Sequence, residues 1–272
     1  GRRQHPFWRS SRRRFGHVGP ELAPNIEVRI VSWNIRAGGG KRIDAIARAL
    51  ARWAPDIAAL SEFRDTPPSR VLATRLTELG LTHQRTTADP THRAVNALLV
   101  ASRYPLRRLP TPSVEDPQRM LAVRIDAPEV PGLRFLAVHV PNRVTGRKYG
   151  FLDAIVDWAA RTPGHAPGLI VGDTNSGLRE IDEESPAFNV TEETWFTRLA
   201  ELDWLDLYRQ QHGTRRAYTW YSPNGDNGFR LDQLFASNSL CARFHPMEYR
   251  WAGGRRRAGV SDHAAIIAEL AA

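Results

Sequence analysis

The chain has 272 residues, of which 42% are hydrophobic, and it contains a single cysteine. This length supports a full hydrophobic core in one large α/β domain or two small ones, and one cysteine excludes an internal disulfide and any thiolate zinc cluster. The longest apolar runs have strand length, far below the roughly 20 residues that a membrane span requires, so the sequence predicts no integral membrane segment.

The charge of the chain is strongly basic. The formal net charge is +9, and nearly all of the cations are arginines. Arginine binds phosphate through two parallel hydrogen bonds, and a basic surface attracts polyanions by releasing their counterions. The charge therefore favours a nucleic acid over a neutral small substrate, although a high genomic GC content would enrich arginine without any function.

The basic residues are concentrated at the start, where six arginines lie within the first fourteen positions. This region has no apolar stretch of signal-peptide type, so residues 1–26 are interpreted as a flexible basic segment that carries no chemistry. Such a segment is either an arm that adds non-specific affinity for nucleic acid or the remnant of a removed region. No linker divides residues 27–272, which are predicted to form one domain.

Strand and helix patterns alternate early in the chain, whereas later strands follow one another through short turns. Strand patterns cover residues 28–33, 57–61, 96–101, 119–125, 133–139, 168–172, 217–221, 230–236, 240–249 and 264–269. Helical periodicity covers residues 42–53, 68–79, 147–161 and 192–200. This mixture predicts a layered α/β sandwich with mixed sheets, in which Cys241 is a small core residue on a late strand.

Polar side chains suited to metal binding, proton transfer or phosphate contact accompany six of the apolar runs. They are Asn34, Glu62, His139 with Asn142, Asp173 with Asn175, Asp232, and Asp262 with His263. Each acid alone is more often a surface or capping residue, but buried strands that deliver such residues at their ends assemble a site. Mg²⁺ prefers hard oxygen ligands, so the set is typical of a Mg²⁺-dependent phosphodiester hydrolase.

The fragments that carry these residues resemble one family in their order along the chain. They are Ser32-Trp33-Asn34-Ile35, Leu60-Ser61-Glu62, Val140-Pro141-Asn142, Gly172-Asp173-Thr174-Asn175, Arg230-Leu231-Asp232 and Ser261-Asp262-His263. The chain resembles the endonuclease/exonuclease/phosphatase superfamily of deoxyribonuclease I-like enzymes over roughly residues 28–270, and within it most closely the exonuclease III and abasic-site endonuclease branch. The resemblance implies a four-layer α/β/β/α sandwich with two mixed β-sheets, and it makes residues 27–272 the catalytic domain.

The resemblance also implies a metal site and a water-activating group. Glu62 would be the principal ligand of Mg²⁺, for which Mn²⁺ would substitute, and Asn34 and Asp262 would complete or support that site. Asp173 would align and activate the attacking water. Asn175 would hold the scissile phosphate or that water.

Phosphate contacts are implied for the remaining polar residues. His263 would contact a phosphate oxygen and would be oriented by the carboxylate of Asp232. His139 and Asn142 would supply further phosphate contacts or stabilise the leaving group.

Substrate contacts are implied for an aromatic segment and a basic loop. Trp220, Phe229 and Leu231 would form an apolar pocket for a base-less sugar, or they are simply core residues of late strands. Arg143, Arg147 and Lys148, together with the arginine cluster 255–257, are candidate contacts to the DNA backbone, although charged loops are usually only solvated.

Three positions depart from the family pattern. Arg36 stands where a second acid is often found, and Ser61 replaces the usual glutamine before the metal-binding glutamate. His139 occupies a place where the abasic-endonuclease branch commonly has tyrosine, while deoxyribonuclease I-like and phosphatase branches have histidine. The departures affect the choice of branch more than the choice of reaction.

The sequence thus predicts a monomeric, cytoplasmic Mg²⁺-dependent nuclease that acts on DNA, most specifically on a duplex containing a lesion. An abasic-site endonuclease with 3′-exonuclease or 3′-phosphatase activity is the first interpretation. The alternative is a phosphatase or phosphodiesterase of the same superfamily, acting on phospholipid head groups or small phosphoesters. A catalytically inactive nucleic-acid-binding module is a third interpretation, which the full set of site residues disfavours.

Overall fold

A computed structural model describes residues 26–162, 166–253 and 259–271 of the chain. The predicted basic segment 1–26 lies outside the described residues, apart from Ile26, with which the first strand begins. The arginine cluster 255–257 also lies outside them. Within the described part, no helix is long and apolar enough to cross a bilayer.

Two six-stranded sheets and a short hairpin contain the strands of the described residues. The first sheet consists of β1 (Ile26–Asn34), β2 (Ile57–Phe63), β3 (His83–Thr86), β4 (Ala97–Ser102), β13 (Glu248–Arg250) and β14 (Ala265–Ala271). The second sheet consists of β5 (Leu106–Arg108), β6 (Met120–Ala127), β7 (Val130–His139), β8 (Gly168–Asp173), β9 (Trp204–Asp206) and β12 (Asp232–Ser237). The hairpin consists of β10 (Trp220–Tyr221) and β11 (Gly228–Phe229).

Both large sheets are mixed. Their strand orders are β13-β14-β1-β2-β4-β3 and β5-β6-β7-β8-β12-β9. The pairs β1–β2 and β7–β8 are parallel, whereas the other paired strands run antiparallel. The parallel pairs lie inside the sheets, so the ends of β1, β7 and β8 are held by neighbours on both sides.

Helices α1 (Ile43–Trp53), α2 (Pro67–Glu78), α3 (Lys148–Ala160) and α4 (Val190–Glu201) cover the outer faces of the two sheets. Helices α5 (Leu207–His212) and α6 (Asn238–Cys241) instead place Leu207, Tyr208 and Leu240 in the apolar cluster between the sheets. The buried stripe of α1 follows the predicted helical period from Ile43 to Trp53. Helix α4 begins with a capping box, in which Asn189 and Glu192 each accept the other's backbone N–H.

Three apolar clusters separate the layers. In β1, Val28 and Ile30 belong to the cluster between the sheets, whereas Val31 and Trp33 belong to the cluster under α1 and α2. A third cluster lies between the second sheet and helices α3 and α4. Because the central strands are buried on both faces, they appear in the sequence as continuous apolar runs. The predicted four-layer α/β/β/α sandwich is confirmed.

The late part of the chain departs from the predicted elements. The predicted strand 240–249 is wrong, because residues Asn238–Cys241 form α6 and only Glu248–Arg250 form a strand. Cys241 therefore lies at the end of a helix, half-buried against the core between the sheets. The predicted strand 217–221 reduces to Trp220–Tyr221. Short apolar runs do not distinguish a strand from a helical turn by periodicity, and the missed β3, β5, β9 and α5 are equally short.

Candidate active site

Three neighbouring strands of the second sheet place one polar residue each at the same level. His139, at the end of β7, is the cross-strand partner of Asp173 at the end of β8, and Asp173 is in turn the partner of Asp232 in β12. All three residues are buried. Since adjacent strands lie about 5 Å apart, the three form a row with Asp173 in the middle.

The strand before Asp173 requires a glycine. Gly172 has a φ of 142°, and a Cβ atom built there would lie 2.0 Å from the carbonyl oxygen of Val138 in β7. A side chain at this position would therefore push β8 away from β7. Close approach of the two backbones keeps His139 and Asp173 side by side.

The first sheet contributes Asn34 and Glu62. Glu62 lies in a β-bulge with a φ of 58°, where the register between β2 and β4 shifts. The bulge changes the direction of the Glu62 side chain. Its Oε1 accepts a hydrogen bond from the Asn34 amide at 3.3 Å, and its Oε2 accepts one from the N–H of Ala37 at 2.6 Å. The Asn34 amide also donates to Asp173 Oδ2 at 3.1 Å, which connects the two sheets.

The side chain of His263, on the segment that precedes β14, lies beside Asp173 and Asp232. The hydroxyl of Ser261 donates to the carbonyl of Asn34 at 2.6 Å and holds this segment against the end of β1. The Nδ1 atom of His263 lies 2.8 Å from Asp232 Oδ2, and its Nε2 atom lies 3.8 Å from Asp173 Oδ2. The Asp232 carboxylate therefore fixes the imidazole so that Nε2 faces Asp173.

Burial sets the protonation of this cluster. It is the main cause that raises the pKa of Asp173 to about 7, while His263 opposes and Asp232 adds to the rise. Burial acts against a charge on His263, but Asp232 and Asp173 outweigh it and raise the pKa of that imidazole to about 10. Burial and the nearby Arg119 cation hold the pKa of His139 well below its usual range. The site thus combines a carboxyl that titrates near neutrality, a cationic imidazole and a neutral imidazole.

His139 faces two carboxylates. Its Nε2 atom lies 3.7 Å from Asp173 Oδ2 and 3.9 Å from Glu62 Oε1. Its buried Nδ1 atom has no hydrogen-bond partner among the described residues. The neutral ring is therefore held by packing and by the strand, and its Nε2 edge is available to a group between the carboxylates.

The donors around Glu62 fit a divalent cation. The carboxylates of Glu62 and Asp262 are 22% and 30% exposed, and both line the pocket described below. Such hard oxygen donors suit Mg²⁺. Asn34 supports Glu62 through its amide N–H, because its Oδ1 accepts the backbone N–H of Arg36 at 2.9 Å. The Arg36 guanidinium lies 3.8 Å from Asp262, so a cation stands beside the second acid.

A second group of ligand-type atoms is less suited to a metal. Atoms of Asp173, Asp232 and His263 lie within 4.8 Å of one another. The Nδ1 atom of His263 is occupied by Asp232, and the raised pKa keeps the ring protonated near neutrality. A protonated imidazole does not coordinate a metal. This cluster is better suited to proton transfer and phosphate contact.

The polar cluster lines a pocket of about 450 Å³. Trp220, Phe229 and Leu231 line the same pocket, and together they form its apolar wall. The ring of Trp220 lies 6.5 Å from that of His263 and 6.0 Å from that of Phe229. Phe188 packs edge-on to Phe229 at 5.9 Å and also lines the pocket. Apolar and charged groups therefore line one cavity together.

A buried ion cluster holds the apolar wall in place. Arg230 lies between Phe229 and Leu231 and is fully buried. Its guanidinium donates to Asp182 at 2.6 and 2.9 Å and to Asp206 at 2.5 and 3.2 Å. Because successive residues of an extended segment point to opposite sides, this anchoring directs the two apolar side chains toward the pocket.

Among the three basic loop candidates, only Arg143 is an exposed pocket residue. It lines the cavity and donates to the carbonyl of Ala187 at 3.2 Å. Arg147 does not line this pocket, because its guanidinium binds Asp116 at 2.9 Å and Glu115 at 3.2 Å.

Lys148 occupies a different environment. It lines the pocket but is only 4% exposed, and its ammonium forms a buried ion pair with Glu192. The same ammonium donates to the carbonyl of Asn175 at 2.5 Å. This placement is that of an internal support for the site, in contrast to the predicted surface contact with DNA.

The two predicted asparagines differ in how they are held. Asn175 has a φ of 48°, donates its side-chain amide to Val140 at 2.8 Å and donates its backbone N–H to Asp173 Oδ1 at 3.0 Å. The backbone N–H of Asn175 therefore holds Oδ1 of the Asp173 carboxylate, while Asn34 binds Oδ2. Asn142 is exposed and lines the pocket rim.

Sequence reasoning missed several lining residues. Arg119, Asn96, Phe188 and Glu192 also line the pocket. Asn96 and Arg119 are the first residues of the predicted strands 96–101 and 119–125, but neither has a metal- or proton-binding residue beside it, and Phe188 lies outside every predicted element. The other local signal is the capping-box spacing of Asn189 and Glu192, which indicates a helix start and not a site.

Comparisons with known proteins agree with this geometry. The sequence profile of the Endonuclease/Exonuclease/phosphatase family matches residues 31–263. No curated protein sequence matches the chain significantly.

Similar solved structures include two DNA-processing enzymes. An AP endonuclease from Archaeoglobus fulgidus has a TM-score of 0.72 at 19% identity, over 89% of this chain and 99% of that chain. A 3′-5′ exonuclease, NExo, from Neisseria meningitidis has a TM-score of 0.70 at 22% identity, over 90% of this chain and 100% of that chain.

The NExo 3′ phosphatase from Neisseria, bound to a product DNA hairpin, has a TM-score of 0.69 at 22% identity, over 89% of this chain and 99% of that chain. At these identities the likeness concerns the fold, whereas the profile match extends over most of the chain. The chain therefore belongs to the Endonuclease/Exonuclease/phosphatase family and is a hydrolase of phosphoester bonds.

Proposed function

We propose that this protein is a Mg²⁺-dependent phosphodiester hydrolase that acts on DNA, as an abasic-site endonuclease with 3′-exonuclease or 3′-phosphatase activity. The observation that carries the proposal is the pocket that Trp220, Phe229 and Leu231 line together with Asp173 and His263. An apolar wall accepts a flipped deoxyribose that lacks a base, while the charged side receives its phosphate. The names of the similar solved structures, an AP endonuclease and a 3′-5′ exonuclease, are consistent with this choice.

The residues support in-line attack of water on the phosphodiester. The oxygen of the water would bond to phosphorus as one of its protons passes to Asp173, whose pKa of about 7 suits a base near neutrality. The bond from phosphorus to the leaving oxygen then breaks. The cationic His263 would stabilise the charge on the phosphate oxygens, and the neutral His139 would donate a hydrogen bond.

The metal would be held by Glu62 and Asp262, with Asn34 as support. A bound divalent cation supplies Lewis-acid stabilisation of phosphate charge and of the leaving oxygen. Mn²⁺, which also accepts carboxylate ligands, would substitute for Mg²⁺. Both carboxylates are partly exposed and line the pocket, so they would be accessible to such an ion.

Hydrolysis of three substrates, each with Mg²⁺ and with EDTA, tests the proposal. They are a duplex with one abasic analogue, an intact duplex and a phosphoinositide. We expect incision at the abasic site, lost in EDTA and in the Asp173→Asn variant. Leu231→Ala would lower kcat/KM for the abasic duplex by about tenfold, as expected for a shortened apolar contact, and would change hydrolysis of a small ester much less.

The alternative is a phosphatase or phosphodiesterase for small phosphoesters or phospholipid head groups, which His139 favours. Activity confined to the phosphoinositide would establish this alternative and reject the nuclease. Wild-type protein with no activity on any substrate would instead favour the inactive binding module. Preference for a lesion-containing duplex, a monomeric state and a cytoplasmic location stay predictions.

A further inference from the structure

The two faces of the β10–β11 hairpin border two different cavities. Trp220 and Phe229 line the active-site pocket. On its other side, Tyr218 and Tyr221 line a separate cleft of about 550 Å³, which Trp251 also borders. We refer to the cleft bordered by Arg215, Arg216, Tyr218, Tyr221 and Trp251 as the aromatic cleft. The proposed substrate pocket and this cleft are therefore separated by a single hairpin.

Three aromatic rings follow one another along the aromatic cleft. The centroids of Tyr218 and Tyr221 are 6.1 Å apart, and those of Tyr221 and Trp251 are 6.0 Å apart. All three side chains are neither buried nor fully exposed, so part of each ring surface faces the cleft. Partly exposed rings at this spacing are suited to stacking with planar groups, because every nucleobase has a π-face.

The cleft also carries net positive charge. Arg215 is exposed, and its guanidinium has no hydrogen bond or ion pair within the part of the chain that the structure describes. Arg216 is positioned by bonds to the carbonyl of Glu180 at 2.7 Å and to the hydroxyl of Tyr218 at 3.4 Å. The acid that borders the cleft, Glu248, is already paired with Arg250 at 2.9 Å. Two arginines are thus available to anions beside the rings.

We propose that the aromatic cleft binds unpaired nucleotides of a single-stranded nucleic acid, with bases stacked on Tyr218, Tyr221 and Trp251 and phosphates on Arg215 and Arg216. Rings beside a basic groove are the combination by which proteins hold single strands without reading their sequence. The position of the cleft suits the unpaired end or flap of a nucleic acid whose duplex part reaches the active-site pocket. This binding requires neither metal nor hydrolysis, so it goes beyond the proposed nuclease function and stands separately from it.

Binding of a fluorescent oligothymidylate of about ten nucleotides, a length within the usual site size, tests the proposal by anisotropy. EDTA throughout keeps the measurement independent of catalysis. We expect Tyr221→Leu to weaken binding about tenfold. Arg215→Gln would lower the slope of log K against log salt by about 0.7, the value of one phosphate contact on a single strand.

A charge-matched control is available at the far edge of the second sheet. Arg107 lies on the edge strand β5 and is 80% exposed. Arg107→Gln should leave the affinity and the salt slope unchanged. Equal losses in Arg107→Gln and Arg215→Gln would mean that only overall charge matters, and the proposal would be overturned.

Photocrosslinking of the wild-type protein gives a readout that does not depend on variants folding. An oligonucleotide carrying 5-iododeoxyuridine should attach to Tyr218, Tyr221 or Trp251, located by mass spectrometry. Attachment only at the active-site pocket would refute the proposal. If crosslinks form in the aromatic cleft but the protein shows no nuclease activity, only the proposed function is rejected. If the protein incises abasic sites but no crosslinks form in the cleft, only the proposed binding of single strands in the cleft is rejected.

Discussion

Replacement of Lys148 by methionine distinguishes an internal support from a DNA contact. The ammonium of Lys148 is paired with Glu192, and the two side chains are 4% and 2% exposed. Burial lowers the pKa of Lys148, while Glu192 opposes that shift. The charge of Lys148 is thus maintained by its partner, and the variant leaves Glu192 buried without a counter-ion.

The expected cost follows from this burial. Breaking a buried ion pair by removal of one partner destabilises a protein by about 3–5 kcal/mol. Glu192 uses its other oxygen to accept the backbone N–H of Asn189 at 2.8 Å, so Glu192→Gln retains the capping box while removing the charge. The double variant Lys148→Met/Glu192→Gln should therefore lose less stability than the sum of the single variants, by about 2 kcal/mol.

Urea denaturation of the wild type, both single variants and the double variant measures these free energies. Arg147→Met is a matched control one residue earlier, because its guanidinium is 47% exposed and pairs at the surface. We expect that control to change stability by no more than about 1 kcal/mol. The reasoning would be refuted if Lys148→Met unfolded like the wild type and instead reduced the salt slope of DNA binding by about one.

Three further predictions concern the site itself. Burial opposes the charge on His263, but Asp232 and Asp173 raise its pKa to about 10. The resulting stabilisation is fully present below about pH 6.5 and is lost toward pH 10. Urea unfolding from pH 7 to 10 should therefore show a decline of up to about 4 kcal/mol, which Asp232→Asn should reduce. Gly172→Ala should destabilise the fold by about 3 kcal/mol or more, because the added Cβ would clash with β7. Gly150→Ala in α3, where the added Cβ meets open space, is the control and should be neutral or stabilising. Thermal unfolding of the two variants measures the difference. Glu62→Gln should weaken Mn²⁺ binding at least tenfold, as measured by electron paramagnetic resonance of free Mn²⁺ without substrate; unchanged binding would exclude Glu62 as the principal ligand.

Local sequence patterns were sufficient to predict the central strands and the polar residues at their ends. The run 169–172 that ends at Asp173 is apolar throughout because β8 is buried on both faces, and the following polar residue marks the strand end. The same reasoning failed at residues 240–249, where the apolar positions are divided among a helical turn, the segment after it and a three-residue strand. Short elements carry too few periods for the sequence to specify their type.

Residue roles depended on contacts between distant positions. The pairing of Lys148 with Glu192 joins positions 44 apart, and the orientation of the Asn34 amide is set by Asp173, 139 positions away. Nothing in the sequence near Lys148 distinguishes a buried ammonium from a solvated one. Likewise, the left-handed bulge at Glu62 arises from the register between β2 and β4.

The sequence by itself determined which residues are candidates for the site and the layered arrangement of the fold, because hydrophobic period and strand-end polarity are local properties of the chain. Tertiary structure decided which carboxylate faces which imidazole, and how burial shifts their protonation. It also decided that one hairpin separates the active-site pocket from the aromatic cleft. These features arise from strand register and desolvation, which exist only after the two sheets have packed together.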